Sequence, residues 1–305
     1  MRAVRVVSMM VLLCAGAAQA ATEYAIQLHR PVKAGHRRHA VLVHSEKLKI
    51  QLQPPGEAAQ GEEENRKLVF AAVQKVTAVD GVGRPLGYEC VVEKCEATDS
   101  KGKRAILEKG TVLAVSREEG REVYRIDGKP APQETVEALE LFFELGGTGP
   151  TEDQLFGSPN PQFLGSEWPA NSEAAAKRLS GFGGSLKPED LKGTVTLAGL
   201  KAEGPVECLE VKATLETASF VPPGCPPNVK PERSELSVKY TGLYPKNAAI
   251  GKPKDALSMT FSFSGHLEAE GKTVSMTVSG EIVLEGRYTE LPEQDLEPEA
   301  EPGQE

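Results

Sequence analysis

Three histidines near the amino terminus have the residue type and proximity that a divalent metal site needs. His36, His39 and His44 could supply imidazole ligands to zinc, with Glu46 as a carboxylate ligand. However, His39 and His44 differ in parity, so on one strand their side chains point to opposite faces. The adjoining Arg37 and Arg38 also disfavour a bound cation. We therefore expect no metal site, and a polar strand edge beside a turn explains these residues.

A serine, a histidine and a glutamate further along the chain have the residue types of a hydrolase triad. Ser264, His266 and Glu268 alternate along one predicted strand and share one of its faces. Neighbours two residues apart on a strand are ~7 Å apart, which exceeds hydrogen-bond distance between a nucleophile and its base. The sequence also lacks the nucleophile-elbow, zincin, phosphate-loop and dinucleotide-binding motifs. We predict no catalytic residues and no cofactor.

The single tryptophan, Trp168, lies in a segment rich in glycine and proline. An aromatic residue in such a segment is either a ligand contact or a plug at the edge of the core. The core interpretation is favoured.

Four cysteines follow the amino-terminal leader: Cys90, Cys95, Cys208 and Cys225. An even count in an exported protein predicts two disulfides, with three possible connectivities. Cys90 and Cys95 fall on one predicted strand, where five residues separate Cα atoms by ~16 Å, whereas a disulfide needs less than ~7 Å. This favours links between the two halves of the chain, while free or locally paired cysteines remain the alternative.

The first twenty residues have the features of a secretory signal peptide. Arg2 and Arg5 precede an apolar run over residues 6–18, and Ala18 and Ala20 provide the small residues of a cleavage site. Lipidation at Cys14 is the less favoured alternative, since a leucine precedes it. We therefore expect export to the periplasm, the outer-membrane surface or the medium, and no other stretch is apolar enough for a transmembrane helix.

The charge of the chain excludes one class of partner. The sequence of 305 residues has a net charge of −9, and removal of residues 1–20 leaves 33 basic against 44 acidic residues, a net charge of −11. Such a protein repels nucleic acid and anionic lipid headgroups. Nucleic-acid binding is therefore not expected.

Alternation of apolar and polar residues predicts mostly antiparallel β-structure. The pattern is strongest over residues 259–269 and 274–288, which form a predicted hairpin, and about five strands are expected in the carboxy-terminal half. The amino-terminal half shows weaker strands, with an exposed loop predicted at residues 54–66. Helices are predicted only at residues 132–145 and from residue 171 or 172 to 181.

These elements predict a mainly β fold whose long, curved strands form either a half-barrel or two packed sheets, with one or two short helices. The expected domain spans residues 21–290. It divides into halves at residues 21–145 and 185–290, joined by a linker rich in glycine and proline that holds a short helix. Residues 291–305 are acidic and proline-rich, and are predicted to be disordered.

The order of features resembles a group of uncharacterised exported bacterial proteins of the myxobacterial and planctomycete type, which carry a domain of unknown function. The matching pieces cover most of the chain after the leader: a strand pair at residues 28–52 around Gly35, a strand-turn-strand at residues 79–88, Gly165 to Trp168, and a final hairpin ending at Gly286, Arg287 and Tyr288. The resemblance implies export and a β-rich fold, and it carries over no activity or site.

Long strands with one apolar face, and few helices to cover it, favour a non-enzymatic binding protein. Its ligand would be an apolar small molecule or a protein partner, as in the half-barrels of periplasmic lipid carriers, an analogy of shape alone. The alternative is a secreted hydrolase of unrecognised type.

Overall fold

A computed structural model describes residues 22–143, 145–146, 149–180, 186–222, 225–226, 229–269 and 272–292. Within these residues the strands are β1 (Arg37–Gln53), β2 (Gln60–Val79), β3 (Pro85–Asp99), β4 (Gly102–Leu107), β5 (Val112–Glu118), β6 (Arg121–Ile126), β7 (Lys129–Pro130), β8 (Glu167–Pro169), β9 (Lys192–Glu203), β10 (Val206–Thr217), β11 (Val229–Pro245), β12 (Lys254–Ala269) and β13 (Lys272–Glu290). The helices are α1 (Gln133–Leu139), α2 (Glu152–Phe156) and α3 (Ser172–Ser180), with a 3-10 turn at Pro188–Asp190.

All the described strands belong to one antiparallel sheet, in the order β7-β6-β5-β3-β2-β1-β13-β12-β11-β10-β9-β8, with β4 beside β3. The sheet is not closed, because β7 and β8 lie at its two ends. The mainly antiparallel β prediction is confirmed, and the alternative of two packed sheets is wrong. The physical reason is that β13 pairs along its length with β1, so strands from both ends of the chain join one sheet. The predicted signal peptide and the tail from residue 293 lie outside the described residues.

The predicted carboxy-terminal hairpin is present as β12 and β13. Phe263 pairs with Val278 and Leu257 pairs with Leu284, so the apolar residues of both strands share one face. This face continues across the sheet, since Val278 also pairs with Ile50 on β1. We call it the covered face, because the helices pack on it, and the other the open face.

Two large hydrophobic clusters occupy the covered face, each beneath helices. The first cluster joins β8–β12 to α2, α3 and the amino-terminal residues Ile26 and Leu28. The second cluster joins β1–β6 to α1 and to Phe143, whose ring packs 5.4 Å from that of Phe70. A smaller third cluster lies in the carboxy-terminal half of β12 and the amino-terminal half of β13. It consists of Val229, Phe263, Met276 and Val278.

The tight turn between β6 and β7 is the predicted hairpin turn at Asp127 and Gly128. Both residues have positive φ, 49° and 78°. Positive φ at both central positions is the geometry that follows the twist of two paired strands, and Asp-Gly adopts it readily. The sequence signal was sufficient here because the turn is purely local.

Three local predictions need correction. Residues 54–66 are not all loop, because β2 begins at Gln60 and pairs with β1 as far as Leu52. The linker contains α2 and β8, and α2 is stabilised by a capping box between Thr151 and Gln154. Helix α1 ends at Leu139, after which the chain turns and places Phe143 in the second cluster.

The predicted disulfides are absent, since all four described cysteines are free. Cys90 and Cys95 lie on β3, where strand geometry separates them by ~16 Å. Cys90 and Cys208 are six strand-to-strand steps apart, or about 29 Å along the sheet, whereas a disulfide needs less than ~7 Å. Cys225 packs against the third cluster beside Val229, whereas Cys208 pairs with Pro245 at the other end of β11, about 50 Å along that strand. The four cysteines are thus free in the structure, and the links favoured between the two halves are not seen.

Candidate functional site

Charged groups gather on the covered face around Tyr240 and Tyr244, two tyrosines of the first cluster. Lys252 Nζ lies 2.5 Å from Glu152 on α2 and 2.6 Å from Asp255 on β12. Tyr244 donates a 3.0 Å hydrogen bond to Glu152, and the hydroxyls of Tyr240 and Tyr244 are 2.5 Å apart. We call these five residues the α2 anchor. They are brought together from α2, β11, the following loop and β12.

A second cation continues this polar group towards β3. The Arg38 guanidinium lies 4.3 Å from the ring centre of Tyr288 and 5.7 Å from that of Tyr88, within cation–π range. Its Nε donates to the Gln74 side chain at 2.9 Å. Arg38 thus links β1, β2, β3 and β13 through side chains.

The α2 anchor is built to hold helix α2. Burial raises the pKa of Tyr240 and of Tyr244, so both hydroxyls stay protonated at neutral pH. Burial alone lowers the pKa of Lys252, but the carboxylates of Asp255 and Glu152 outweigh it and hold this pKa well above its ordinary value. Groups with strongly shifted pKa values often mark active sites, but structural ion pairs also shift pKa values. The α2 anchor residues do not line the surface depression beside helices α2 and α3, nor the one near residues 218–220.

Apolar residues near the carboxyl end of β1 lie on the covered face and remain accessible to solvent. Ile50 is 39% exposed and Leu52 is 42% exposed, while Leu48 is half-buried. We call these three residues the β1 strip. On one side, Ile50 pairs with Val278 of the third cluster. The strip therefore extends a hydrophobic cluster into solvent.

Acidic residues of β2 border the other side of the β1 strip. Leu48 pairs with Glu64 and Ile50 pairs with Glu62, so these carboxylates share the covered face. Glu46 precedes the strip on the same face, opposite Arg66. Burial and the nearby Glu64 raise the pKa of Glu46, and Arg66 only partly opposes this. The border has an excess of negative charge.

His44 lies at the inner end of the same row and is buried, with 2% of its surface exposed. Its Nδ1 has no hydrogen-bond partner. Burial lowers the pKa of His44 to about 4, and the positive charge of Arg66 contributes, so the ring is neutral at pH 7.

The three candidate metal-ligating histidines lie apart in the structure. His36 lies 2.8 Å from Glu290, and His39 on the open face lies 2.9 Å from Glu93. His44 faces the covered side, as the parity argument predicts. No group of three metal-ligating side chains occurs among the described residues.

His266 contacts a serine and a glutamate that do not lie on its own strand. Its Nδ1 lies 3.3 Å from Ser275 Oγ on β13, and its Nε2 lies 2.8 Å from Glu232. The serine–histidine–carboxylate order is that of a hydrolase relay, but the two ring nitrogens are exchanged, since in such a relay Nε2 faces the serine and Nδ1 faces the carboxylate. However, Ser275 is paired with His266 on one side and with Gln53 on the other, so its backbone is committed to the sheet. Ser264 and Glu268 do not join this group, since Glu268 instead accepts a hydrogen bond from Thr273.

Trp168 lies in the first cluster and is 9% exposed. Its Nε1 donates a 2.9 Å hydrogen bond to the carbonyl of Phe156 at the end of α2. These contacts fit the core interpretation better than a ligand contact.

Two surface depressions of the described residues lie outside both the β1 strip and the α2 anchor. One, of about 470 Å³, lies between the β2–β3 turn and helices α2 and α3. The other, of about 420 Å³, lies between residues 218–220 and 231–235. No helix in the described part of the chain is long and apolar enough to cross a membrane.

Comparison with known proteins gives no family. No protein-family model and no curated protein matches the sequence. Among solved structures, a lipovitellin chain from a study of lipid–protein interactions aligns over 85% of this chain and 26% of its own, with a TM-score of 0.32 and 8% identity. The Yersinia pestis attachment invasion locus protein Ail aligns over 84% of this chain and 100% of its own, with a TM-score of 0.12 and 6% identity.

This chain spans about a quarter of the lipovitellin chain. Both TM-scores lie below 0.5, so these likenesses carry no argument about function.

The alternation of apolar residues predicts that the β1 strip lies on a strand, but it does not predict that the strip is exposed. The α2 anchor had no local signal, because Glu152 and Lys252 are far apart in sequence.

Proposed function

We propose that this protein is a non-enzymatic exported protein that binds an apolar ligand on the covered face of its sheet, at the β1 strip. The observation that carries the proposal is the exposure of Ile50 and Leu52 beside the buried third cluster. The leader sequence supports export to the periplasm, the outer-membrane surface or the medium.

Exposed apolar side chains that continue a buried cluster have a defined energetic consequence. Burying a leucine or isoleucine completely contributes ~1.5–3 kcal/mol, so covering the exposed two-fifths of each contributes roughly 1 kcal/mol. The half-buried Leu48 adds to this surface. A ligand that covers the strip would therefore gain affinity without rearranging the sheet.

Native mass spectrometry of the exported protein, purified without detergent, tests the proposal. We expect the wild type either to retain bound apolar mass or to take up an added apolar dye, and Ile50→Glu to do neither. The matched control is Gln51→Glu, which places the same charge one residue along β1 on the open face, and should keep the ligand. A ligand-free mass, together with no uptake of an added apolar dye, would contradict the proposal.

A second candidate function, a secreted hydrolase, rests on the contacts of His266 with Ser275 and Glu232. If the protein is a hydrolase, turnover of an activated ester should disappear in Ser275→Ala and persist in Ser264→Ala. Equal turnover by both variants and the wild type would remove this candidate.

A further inference from the structure

We infer that the natural occupant of the β1 strip is a basic amphipathic helix of a partner protein, an inference that rests on the proposed function. The helix would place its apolar side on Leu48, Ile50 and Leu52, and its lysines or arginines beside Glu62 and Glu64.

The arrangement of the covered face favours a helix over an enclosed small molecule. Helix α1 covers the second cluster, and helices α2 and α3 cover the first. No described helix lies over the third cluster and the strip. Pockets for small molecules usually enclose most of the ligand, whereas Ile50 and Leu52 of the strip are 39% and 42% exposed on an open sheet surface. An open sheet face is instead the surface on which helices pack.

The row that runs from Glu46 along the β1 strip to Leu52 has a length that suits a short helix. From Glu46 to Leu52, the strand spans about 20 Å at ~3.3 Å per residue. A helix rises 1.5 Å per residue, so about 13 residues would cover this distance. Such a helix makes between three and four turns, enough to present apolar residues at i, i+3, i+4 and i+7.

The charge beside the strip selects a cationic partner. Beside the strip, the covered face carries three carboxylates and one guanidinium, a net charge of −2. The carboxylates belong to Glu46, Glu62 and Glu64, and the guanidinium belongs to Arg66. An anionic phospholipid headgroup would be repelled there, and by the whole chain with its net charge of −9. A lysine or arginine on a bound helix would be attracted to the same carboxylates.

A second and independent feature marks the inner end of the row. His44 is 2% exposed, lies two residues from Glu46 on the same face, and has an unpartnered Nδ1. This atom is inaccessible, so the row changes from buried at His44 to exposed at Ile50 and Leu52, and a bound helix would lie on the exposed part.

Synthetic peptides of about 14 residues test the inference directly. One carries leucines at i, i+3, i+4 and i+7 with lysines elsewhere, and its counterpart carries glutamates in place of the lysines. Binding to the exported protein is measured by fluorescence anisotropy at low and high salt. We expect the lysine peptide to bind at least about tenfold more tightly than the glutamate peptide, with an advantage that shrinks as salt rises.

Variants locate the binding. The double substitution Glu62→Gln and Glu64→Gln should weaken the lysine peptide about fivefold, since exposed ion pairs are individually weak. Glu63→Gln is the matched control, because Glu63 lies between them on the open face. Circular dichroism confirms that each variant is folded.

Two outcomes separate failure of this inference from failure of the proposed function. If vesicles of phosphatidylglycerol, or both peptides equally, bind the wild type and are lost in Ile50→Glu, the strip binds apolar ligands and the basic-helix inference is overturned. If nothing binds and Ile50→Glu has no effect, the proposed function itself fails.

Discussion

Lys252 and Glu152 form an ion pair of 2.5 Å across 100 residues of sequence, and this pair holds helix α2 on the sheet. The lysine side chain is only 15% exposed and also contacts Asp255. Around this pair α2 completes the first cluster with Leu155 and Phe156. A helix of five residues has little stability of its own. The position of α2 therefore depends on long-range contacts.

Replacing Lys252 should destabilise the protein strongly. Lys252→Met leaves the partly buried carboxylates of Glu152 and Asp255 without their cation, which costs about 1–3 kcal/mol. Urea unfolding followed by circular dichroism measures the loss. Lys246→Met is the control, because Lys246 pairs with Glu207 at an exposed position and its loss should matter much less. Similar losses in the two variants would contradict a structural role for the buried pair.

The sequence predicted the strands wherever a single face was buried. The alternation over residues 259–269 fixed both the existence of β12 and the face that it buries. The prediction failed at residues 60–66, because a run of glutamates is typical of an exposed loop. Pairing with β1 overrides that local preference, because the partner strand satisfies the backbone of Gln60 and the residues that follow.

The candidate site was only partly predictable for a related reason. Leu48, Ile50 and Leu52 are visible as apolar residues that alternate along a strand. Whether they are covered depends on where the helices pack, and α2 is fixed by the contact of Glu152 with Lys252. No periodic pattern encodes such a contact. The carboxylates beside the strip were also hidden, since their position follows from the register of β2 against β1.

Protonation of His44 should destabilise the fold in weak acid. Its pKa is about 4 in the folded protein against an ordinary 6.5, so the unfolded chain binds more protons between these values. Stability is then fully present above about pH 6.5 and falls towards pH 4, by roughly 3 kcal/mol at 1.36 kcal/mol per pKa unit. Unfolding by urea at several pH values measures this slope.

His44→Leu should remove that part of the slope and cost little at pH 7, because it also removes the unpartnered Nδ1. Ser45→Ala, which changes the next residue on the open face, should keep the wild-type slope. An unchanged slope in His44→Leu would show that other groups cause the acid sensitivity.

The free cysteines should differ sharply in reactivity. Burial raises the pKa of Cys90 to about 12 and that of Cys95 to about 11, so neither forms the reactive thiolate near neutral pH. Cys225 is only half-buried and should react first with a maleimide. In denaturant without reductant all four should be labelled, as mass spectrometry would show. Incomplete labelling that reductant restores would indicate disulfides.

Trp168 should report on the folded core and not on ligand binding. It lies on β8, six strand-to-strand steps or about 29 Å along the sheet from β1. Titration with the lysine peptide should therefore leave its emission unchanged, while unfolding should shift it to longer wavelength. Trp168→Phe should cost about 1 kcal/mol, because the Phe156 carbonyl loses its hydrogen bond.

A shift in Trp168 emission on peptide binding, with unchanged circular dichroism, would contradict this assignment. It would place the ligand near β8 and support the interpretation of Trp168 as a ligand contact. Because Trp168 is the only tryptophan in the chain, the signal has a single source. Repeating the titration with Ile50→Glu then decides the location, since that substitution should abolish binding only if the ligand occupies the β1 strip.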